Sequence, residues 1–309
     1  MTAAPPVRLR QTLREIVAGR AGRVLRCRVR LAGSEPVTAR YRRVRIAGAG
    51  LRDYTDARPA DAFKLHLPAV PGAPVPLPEY DDRGRPVRPD DPAHRPLVRC
   101  FTVAAADPAT GELAFDAYLH DDGATARWLA TARPGDELAL TGMRTEYAVA
   151  PGSRSQLLVA DPSALPAAAD VVAAVPPDQP VHLVAHAHPG DRRLVRPGPN
   201  TTVTWVGDAA RLAGAVAALP APGDGAQAWV CAEAAAVRAV RAVLLDRHGL
   251  HRDALHAAAY WKRGQDWEAL FDESMERFLR AADAGLDTGD PGLLQRLAFD
   301  PPDLPNVNR

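Results

Sequence analysis

One change of pattern near Gly152 constrains the fold of this chain more than any other feature of its sequence. Before that point, short runs alternate apolar and polar residues, as where Val44 and Ile46 alternate with Arg43 and Arg45. A period of two is typical of strands that are buried on one face. After it, strand-like runs are apolar throughout and alternate with helical patterns, which indicates a parallel sheet covered on both faces. The chain is therefore predicted to form two domains of different class.

The first half is predicted to be a small antiparallel β-barrel over residues 24–150, preceded by a helical or flexible segment at 1–23. Roughly six strand-like runs support it: VLRCRVRLA, YRRVRIAG, AFKLHLP, LVRCFTVAA, GELAFDAYLH and DELALTGMR. One helical insert, ATARWLATA, lies between the last two. The dense Pro/Asp/Arg stretch from Pro71 to Pro96 is predicted to be a surface loop without regular structure.

The second half is predicted to be a doubly wound nucleotide-binding domain over residues 151–264. Its apolar runs are LLVA, VHLVAHA, TVTWVG and AQAWVCA, and its helical patterns are SALPAAADVVAAV, RLAGAVAAL and AAVRAVRAVLLDRHG. A tail at 265–309 follows, with one amphipathic helical pattern, WEALFDESMERFLRAA.

Length and charge limit the range of partners. The 309 residues leave room for two domains, and a net charge of +1 gives no electrostatic reason to expect nucleic acid or an anionic membrane as a partner. No apolar run reaches the roughly 18 residues of a membrane span, and the first residues lack a signal-peptide core. We therefore expect a cytoplasmic protein. None of these patterns specifies an oligomeric state.

The cysteines argue against a metal cofactor. Cys27, Cys100 and Cys231 lie far apart and form no CxxC pair, so neither a zinc knuckle nor an iron–sulfur cluster is expected. Redox chemistry would then require a bound organic cofactor.

Three histidines in the second half are candidate metal ligands. His182, His186 and His188 have the spacing of one strand face. His182 and His188 are nevertheless separated by roughly 20 Å along an extended strand, which is too far for a shared ion. Solvent-facing histidines are predicted instead, with no metal.

Several motifs resemble those of one flavoprotein family. Arg99-Cys100-Phe101-Thr102-Val103 resembles the flavin motif Arg-x-Tyr-Thr/Ser of the ferredoxin-reductase superfamily. Four longer segments are similar to those of the siderophore-interacting proteins: GELAFDAYLHDDGATARWLATARPGDELALTG, DPSALPA, AWVCAEAAAVRAVR and AYWKRG. These matches keep their order and spacing over about residues 24–264. The chain thus resembles FAD-dependent ferric-siderophore reductases.

The resemblance implies a flavin site on the barrel. Arg99 would pair with the FAD pyrophosphate, Phe101 would lie against the isoalloxazine ring and Thr102 would bond the flavin edge. Val103 completes the motif. The alternative is an ordinary strand whose arginine faces solvent.

A helix start after His120 would add a phosphate site to the barrel. Gly123, Thr125 and Ala126 open that helix, and free backbone N–H groups there would hold a phosphate of FAD. The alternative is a helix cap by Asp122 or Thr125, and both interpretations are compatible. His120 would approach the flavin or would have only a structural role.

The second domain would bind NADPH or NADH. Asp161, Ser163 and Ala164 follow an apolar strand, where an open α/β sheet binds a dinucleotide. The residues implied to border the nicotinamide are Glu233, Tyr260, Trp261 and Lys262. The alternative is a helix cap at Glu233 and a packed aromatic pair at Tyr260 and Trp261.

Basic residues near the exposed flavin edge are the implied catalytic set, because ferric catecholates and related chelates are small anions. Lys64 would provide one charge from the barrel, and Lys262 or Arg263 another from the second domain. Electrons would pass as hydride from nicotinamide to flavin, and then singly to iron. Fe(II) binds hard oxygen donors less tightly than Fe(III), so reduction would release the metal without any protein ligand for iron.

Three departures from the family pattern concern cofactor binding. Relatives commonly carry tyrosine at Phe101, a second arginine at Ala104 and glycine at Ala232. Loss of the second arginine removes one cation for the FAD phosphates, and a methyl group at Ala232 would crowd a close-packed dinucleotide.

A fourth departure concerns the choice of dinucleotide. Asp208 stands where relatives have a basic residue for the 2′-phosphate of NADPH, although Arg192 or Arg193 would compensate. Three functions stay open: a working reductase; a divergent flavin-assisted or non-redox enzyme of specialised metabolism; and a siderophore-binding module without turnover.

Overall fold

The computed structural model describes residues 7–20, 24–82, 86–89, 91, 94–120, 123–265, 267–287 and 293. The chain divides into two compact units. The barrel unit consists of Gly19–Glu146 with Pro189–Arg193, and the sheet unit consists of Met1–Ala18, Tyr147–His188 and Leu194–Arg309. The predicted domain boundaries at residues 23, 150 and 264 stay predictions.

The barrel unit is built from antiparallel strands. Among the described residues these are β1 (Leu25–Pro36), β2 (Tyr41–Ala47), β3 (Ala62–Leu67), β4 (Glu79–Tyr80), β5 (Pro86–Val87), β6 (Leu97–Asp107), β7 (Glu112–Tyr118) and β8 (Glu137–Arg144). Helix α1 (Leu9–Arg20) precedes β1, and α2 (Ala124–Thr131) lies between β7 and β8. Six strands close a barrel in the order β1-β2-β7-β6-β3-β8, which confirms the predicted barrel.

The apolar residues of each alternating strand face the barrel core. Val44 and Ile46 are fully buried while Arg45 between them is exposed, as the period of two predicted. Phe63 and Leu65 of β3 enter the same core, where they are shielded from solvent by the surrounding strands. The inward faces of the strands therefore fill the barrel with side chains.

The proline-rich stretch contains more structure than predicted. Glu79 pairs with Val87 and Tyr80 with Pro86, so β4 and β5 form a short antiparallel ladder. Pro86 is the first residue of β5, a position where a missing N–H group is tolerated. The prediction that no regular structure forms between Pro71 and Pro96 is therefore wrong at these two strands.

The sheet unit contains a five-stranded parallel sheet. Its strands are β9 (Ser155–Ala160), β10 (Val181–His186), β11 (Thr201–Val206), β12 (Ala226–Glu233) and β13 (Leu255–Trp261). Their order is β11-β10-β9-β12-β13, so the chain builds outward from β9 on one side and then returns to its other side. This reversal confirms the predicted doubly wound sheet, and it makes the carboxyl ends of β9 and β12 the place where such folds bind ligands.

Helices connect and extend this sheet. They are α3 (Leu165–Ala174), α4 (Leu212–Ala217), α5 (Ala234–Ala242) and α6 (Trp267–Asp283), and a π-helical turn at Val243–Arg247 continues α5. Leu9 and Leu13 of α1 pack with Ala150 and Ala254. No helix in the described part of the chain is long and apolar enough to span a bilayer.

A buried ion-pair network fixes the segment that leads into β3. Arg20 donates to Asp61 at 2.9 Å and to Asp56 at 2.8 Å. Asp61 has no exposed side-chain surface, and it also accepts hydrogen bonds from the Tyr54 hydroxyl at 2.7 Å and the Arg58 N–H at 3.0 Å. The buried charge of Asp61 is compensated by these donors. Removing the carboxylate would take this acceptor from the Tyr54 hydroxyl and the Arg58 N–H, and would leave Arg20 with the more exposed Asp56.

The neutral state of His66 is expected to make the barrel acid-sensitive. His66 is 7% exposed and shares a 3.1 Å hydrogen bond with the Thr141 hydroxyl. Burial, together with the nearby Lys64 charge, lowers the pKa of His66 from 6.5 to about 4. The unfolded chain therefore takes up a proton that the native protein excludes, so stability is lost as pH falls from 6.5 towards 4, by about 2–3 kcal/mol from this residue.

Urea unfolding at pH 7, 6 and 5 measures this effect. His66→Gln is expected to flatten the pH dependence of the unfolding free energy, whereas His188→Gln, at an exposed position, is expected to leave it unchanged. An unaltered slope in His66→Gln would contradict the assignment.

Candidate functional site

The barrel residues of the proposed flavin site lie on β3 and β6. Phe63 pairs with Phe101, and Arg99 lies two residues from Phe101, so Arg99 and Phe101 project from the same face. Lys64 pairs with Cys100 and projects from the opposite face. The barrel wall thus separates Lys64 from the two residues that the motif assigns to FAD.

The Phe101 ring packs against other rings of the barrel. It is half-buried, with its centroid 4.3 Å from the Phe115 ring and 6.2 Å from the Phe63 ring. Thr102 and Val103 are buried, and the Val103 N–H donates to the Asp61 carbonyl at 2.8 Å. Contacts of these motif residues with a flavin stay predictions.

Arg99 is partly exposed. The side chain is half-buried, and one of its nitrogens donates to the Val98 carbonyl at 2.6 Å. A guanidinium carries five N–H donors in a planar fork, a geometry that suits an anionic group such as a pyrophosphate.

Lys64 is a half-buried cation. Burial lowers the pKa of Lys64 below its usual value, the Cys100 thiol opposes the shift, and the Arg144 charge adds to it. Lys64 faces Thr141 of β8 as well as Cys100 of β6. Its amino group therefore lies on a protein surface of reduced polarity, where it would bind an anion more strongly than in open solvent.

The start of α2 is shaped by Gly123. This residue is the N-cap, and a Cβ atom there would lie 2.6 Å from the exposed His120 ring, so a larger residue would require that ring to move. Because glycine has no side chain, it supplies no acceptor to the first N–H groups of the helix, which include those of Thr125 and Ala126. Asp122, the alternative cap, lies outside the described residues.

The residues predicted for the dinucleotide meet around the Asp161 carboxylate, directly after β9. Asp161 is 1% exposed. One of its oxygens accepts from the Ser163 N–H at 2.9 Å and the Ser163 hydroxyl at 2.5 Å. The other accepts from the Glu233 N–H and the Trp261 indole N–H, each at 2.8 Å. The Ala164 N–H donates to the Asp161 carbonyl at 3.1 Å, so the ends of β9, β12 and β13 are joined at one point.

Glu233 caps α5 and holds the segment after β13. One of its oxygens accepts from the N–H groups of Ala235 and Ala236, and the other accepts from the Arg263 N–H at 3.2 Å. The helix cap at Glu233, which the sequence analysis gives as the alternative to a nicotinamide contact, is therefore present. Lys262 lies beside Glu273 of α6, with 3.9 Å between the charged atoms. The sequence analysis missed Glu273 as a partner of this predicted catalytic lysine.

Tyr260 packs against an aromatic ring of the neighbouring strand. Tyr260 meets the buried Trp229 edge to face, with 6.4 Å between ring centroids. Trp261 is 39% exposed. Ala232 is 1% exposed and packs in the core of the sheet unit, where its methyl group contributes to the apolar cluster.

Asp208 is a helix cap at the carboxyl end of β11. Its carboxylate accepts from the Arg211 N–H at 3.1 Å and pairs with the Arg211 guanidinium at 3.4 Å. Of the residues predicted to compensate for it, Arg193 donates to the Val37 carbonyl within the barrel unit. His182 shares a 2.9 Å hydrogen bond with the Thr204 hydroxyl on the adjacent strand.

Two family models match the chain. The model described as "Siderophore-interacting FAD-binding domain" matches residues 30–147, and the one described as "Siderophore-interacting protein" matches residues 153–264. The first covers Lys64, the Arg99 motif and α2, which agrees with the predicted flavin cofactor. The second covers Asp161, Glu233 and the segment after β13.

Known proteins match parts of the chain. The mycobactin import ATP-binding/permease protein IrtA of Mycolicibacterium smegmatis is 33% identical over 174 residues, 54% of this chain and 20% of that protein. The NADPH-dependent ferric-chelate reductase of Escherichia coli is 34% identical over 133 residues, 43% of this chain and 50% of that protein. The chain thus spans a fifth to a half of these relatives. The crystal structure of a siderophore utilization protein from T. fusca superposes with a TM-score of 0.67 and 26% identity, covering 78% of this chain and 94% of that one.

Proposed function

The chain belongs to the siderophore-interacting protein family, and from this premise we propose that it reduces ferric siderophores with FAD and with NADPH or NADH as electron donor. The observation that carries the proposal is the order of the two units, with an FAD-binding model on the closed barrel and the family's second model on the parallel sheet. The Escherichia coli relative is named for NADPH-dependent reduction of ferric chelates, which supports the same reaction class. The proposed substrate is a small anionic ferric chelate in the cytoplasm, with no nucleic-acid or membrane partner.

The donors on the barrel suit the FAD phosphates. Arg99 offers a half-buried guanidinium, and α2 begins at a glycine whose missing side chain leaves the first N–H groups to another acceptor. Phe101, Thr102 and Val103 are proposed to line the flavin site on the same strand, with the half-buried Phe101 ring as the most accessible of the three.

The dinucleotide is proposed to bind at the carboxyl ends of β9, β12 and β13. Ser163, Ala164, Tyr260 and Trp261 border this edge, and an open sheet binds ligands where its strand order reverses. Asp208 adds a negative charge after β11, so we expect the 2′-hydroxyl of NADH to be accepted at least as readily as the 2′-phosphate of NADPH.

When bound, FAD supplies the redox chemistry: two electrons are taken up together as a hydride and are released to iron one at a time. The chain's own contribution is to hold the anionic chelate by charge. Lys262 and Arg263 are proposed for this role, with Lys64 as a further cation although it lies on the opposite face of the barrel wall from Arg99, because chelates of Fe(III) with catecholate oxygens are anions. Fe(II) binds those oxygens less tightly, so the metal leaves without a protein ligand.

Fe(II) production tests the proposed activity. FAD-loaded protein is mixed with NADH or NADPH and a ferric catecholate chelate, and Fe(II) is trapped by a coloured ligand. Lys64→Ala is expected to lower kcat/KM for the anionic chelate by about 3–10-fold while sparing FAD content, because a half-buried cation is lost. Arg45→Ala, which removes an exposed cation paired with Glu35, is the control and is expected to have no effect.

Other results would count against Lys64 or against the reductase activity. Equal kinetics for Lys64→Ala and the native protein would remove Lys64 from the site. Flavin-containing protein that forms no Fe(II) would favour the divergent enzyme, and colourless protein that binds the ferric chelate would favour the binding module.

A further inference from the structure

We infer that Asp161 is a positioning residue that fixes the Trp261 indole as a flat docking surface for a planar ring of the dinucleotide, and that Asp161 does not contact the dinucleotide itself. The inference rests on the proposed function, because it assigns roles within the proposed nucleotide edge of the sheet.

The first step is the acceptor capacity of Asp161. An ionised carboxylate accepts about four hydrogen bonds, two at each oxygen. Four donors of this chain already bind it: the Ser163 N–H and hydroxyl at one oxygen, and the Glu233 N–H and Trp261 indole N–H at the other. With 1% exposure, the side chain has neither a spare acceptor position nor a surface for a ligand.

The second step is the placement of Trp261. It is the last residue of β13 and pairs with Glu233 at the end of β12, beside a register shift in the ladder. Its indole N–H is held at 2.8 Å by the buried carboxylate, and yet the side chain is 39% exposed. An indole usually buries its apolar ring, so an exposed ring with an anchored N–H group is a surface held in one orientation.

The third step concerns the backbone segment that follows Trp261. The Arg263 N–H donates to Glu233 at 3.2 Å, so the backbone is fixed two residues beyond Trp261 as well. The ring is therefore held through its own N–H and through the segment that follows it. A ring that is ordered before binding loses little entropy when another planar ring stacks on it.

The experiment uses the FAD-loaded protein and four variants: Asp161→Asn, Trp261→Phe, the double variant and, as a control, Asp224→Asn at an exposed aspartate before β12. An asparagine amide has one acceptor oxygen in place of two, so it cannot serve the Trp261 and Glu233 donors and the Ser163 donors at once, whereas Asp224→Asn removes an equal charge outside this network. Kd for NADH and NADPH is measured by calorimetry, and KM and kcat are measured with a ferric chelate. ADP-ribose, which lacks nicotinamide, identifies the ring that stacks.

We expect Asp161→Asn and Trp261→Phe each to raise Kd and KM for the dinucleotide about tenfold, with kcat at saturation nearly unchanged. The double variant is expected to have the same Kd for the dinucleotide as the single variant that binds it less tightly, because both changes break the same contact. Asp224→Asn is expected to stay within about twofold of the native protein. Fluorine NMR on 5-fluorotryptophan protein gives a second readout: among the five tryptophans, the Trp261 signal, assigned with Trp261→Phe, is expected to shift or broaden in Asp161→Asn.

Native dinucleotide affinity in an Asp161→Asn protein whose Trp261 fluorine signal has changed, or losses that multiply in the double variant, would overturn the inference. If Asp161→Asn does not fold, or keeps the native Trp261 signal, Trp261→Phe decides, and binding within twofold of native would overturn it. Failure of the native protein itself to bind either dinucleotide would instead count against the proposed function.

Discussion

Replacing Asp61 with alanine is expected to lower the free energy of unfolding by about 3–5 kcal/mol, because it leaves a buried arginine without its most buried partner. The Asp61 side chain is fully buried, and it accepts from Arg20, from the Tyr54 hydroxyl and from the Arg58 N–H. Tyr54 is itself 3% exposed, and burial raises its pKa. Urea unfolding followed by circular dichroism measures the change.

Asp56→Ala is the matched control for this prediction. Asp56 also pairs with Arg20, but 40% of its side chain is exposed and Arg20 keeps Asp61 when it is removed. The expected loss is at most about 1 kcal/mol. Equal losses in the two variants would show that burial does not distinguish these ion pairs.

Arg99→Ala is expected to weaken FAD binding by about 10–100-fold, because a charge-assisted hydrogen bond to a phosphate is lost. Arg99 lies on β6, is partly exposed, and has one nitrogen on the Val98 carbonyl. Titration of apoprotein with FAD, followed by flavin fluorescence, measures the affinity.

Arg45→Ala again provides the control, since Arg45 pairs with Glu35 on an exposed part of the barrel. It is expected to bind FAD with native affinity. Undiminished FAD affinity in Arg99→Ala would move the phosphate site away from the motif and leave the start of α2 as its remaining candidate.

Periodicity was sufficient to predict the two folds, because each residue pattern reflects how many faces of a strand are buried. Val44 and Ile46 alternate with arginines on a strand that has one buried face, whereas all of β12 is buried and its sequence is nearly apolar throughout. The short ladder at Glu79–Val87 escaped prediction, because Pro86 lies at a strand start where proline is tolerated.

Side-chain placement depended on contacts between distant segments, which one sequence does not reveal. Lys64 and Arg99 occur in adjacent motifs of the flavin region, but the pairing of Lys64 with Cys100 puts them on opposite faces of the barrel wall. Asp161 and Trp261 are both in recognised motifs, and their 2.8 Å hydrogen bond spans a hundred residues. The roles of Glu273 and Asp61 had no sequence signal at all.

The most direct test of the proposed reductase is the absorbance spectrum of FAD-loaded protein under anaerobic conditions. We predict that the bands of oxidised flavin bleach when NADH or NADPH is added and return when a ferric siderophore follows. Flavin bands that persist in excess of both dinucleotides, or protein that holds no FAD, would contradict the account.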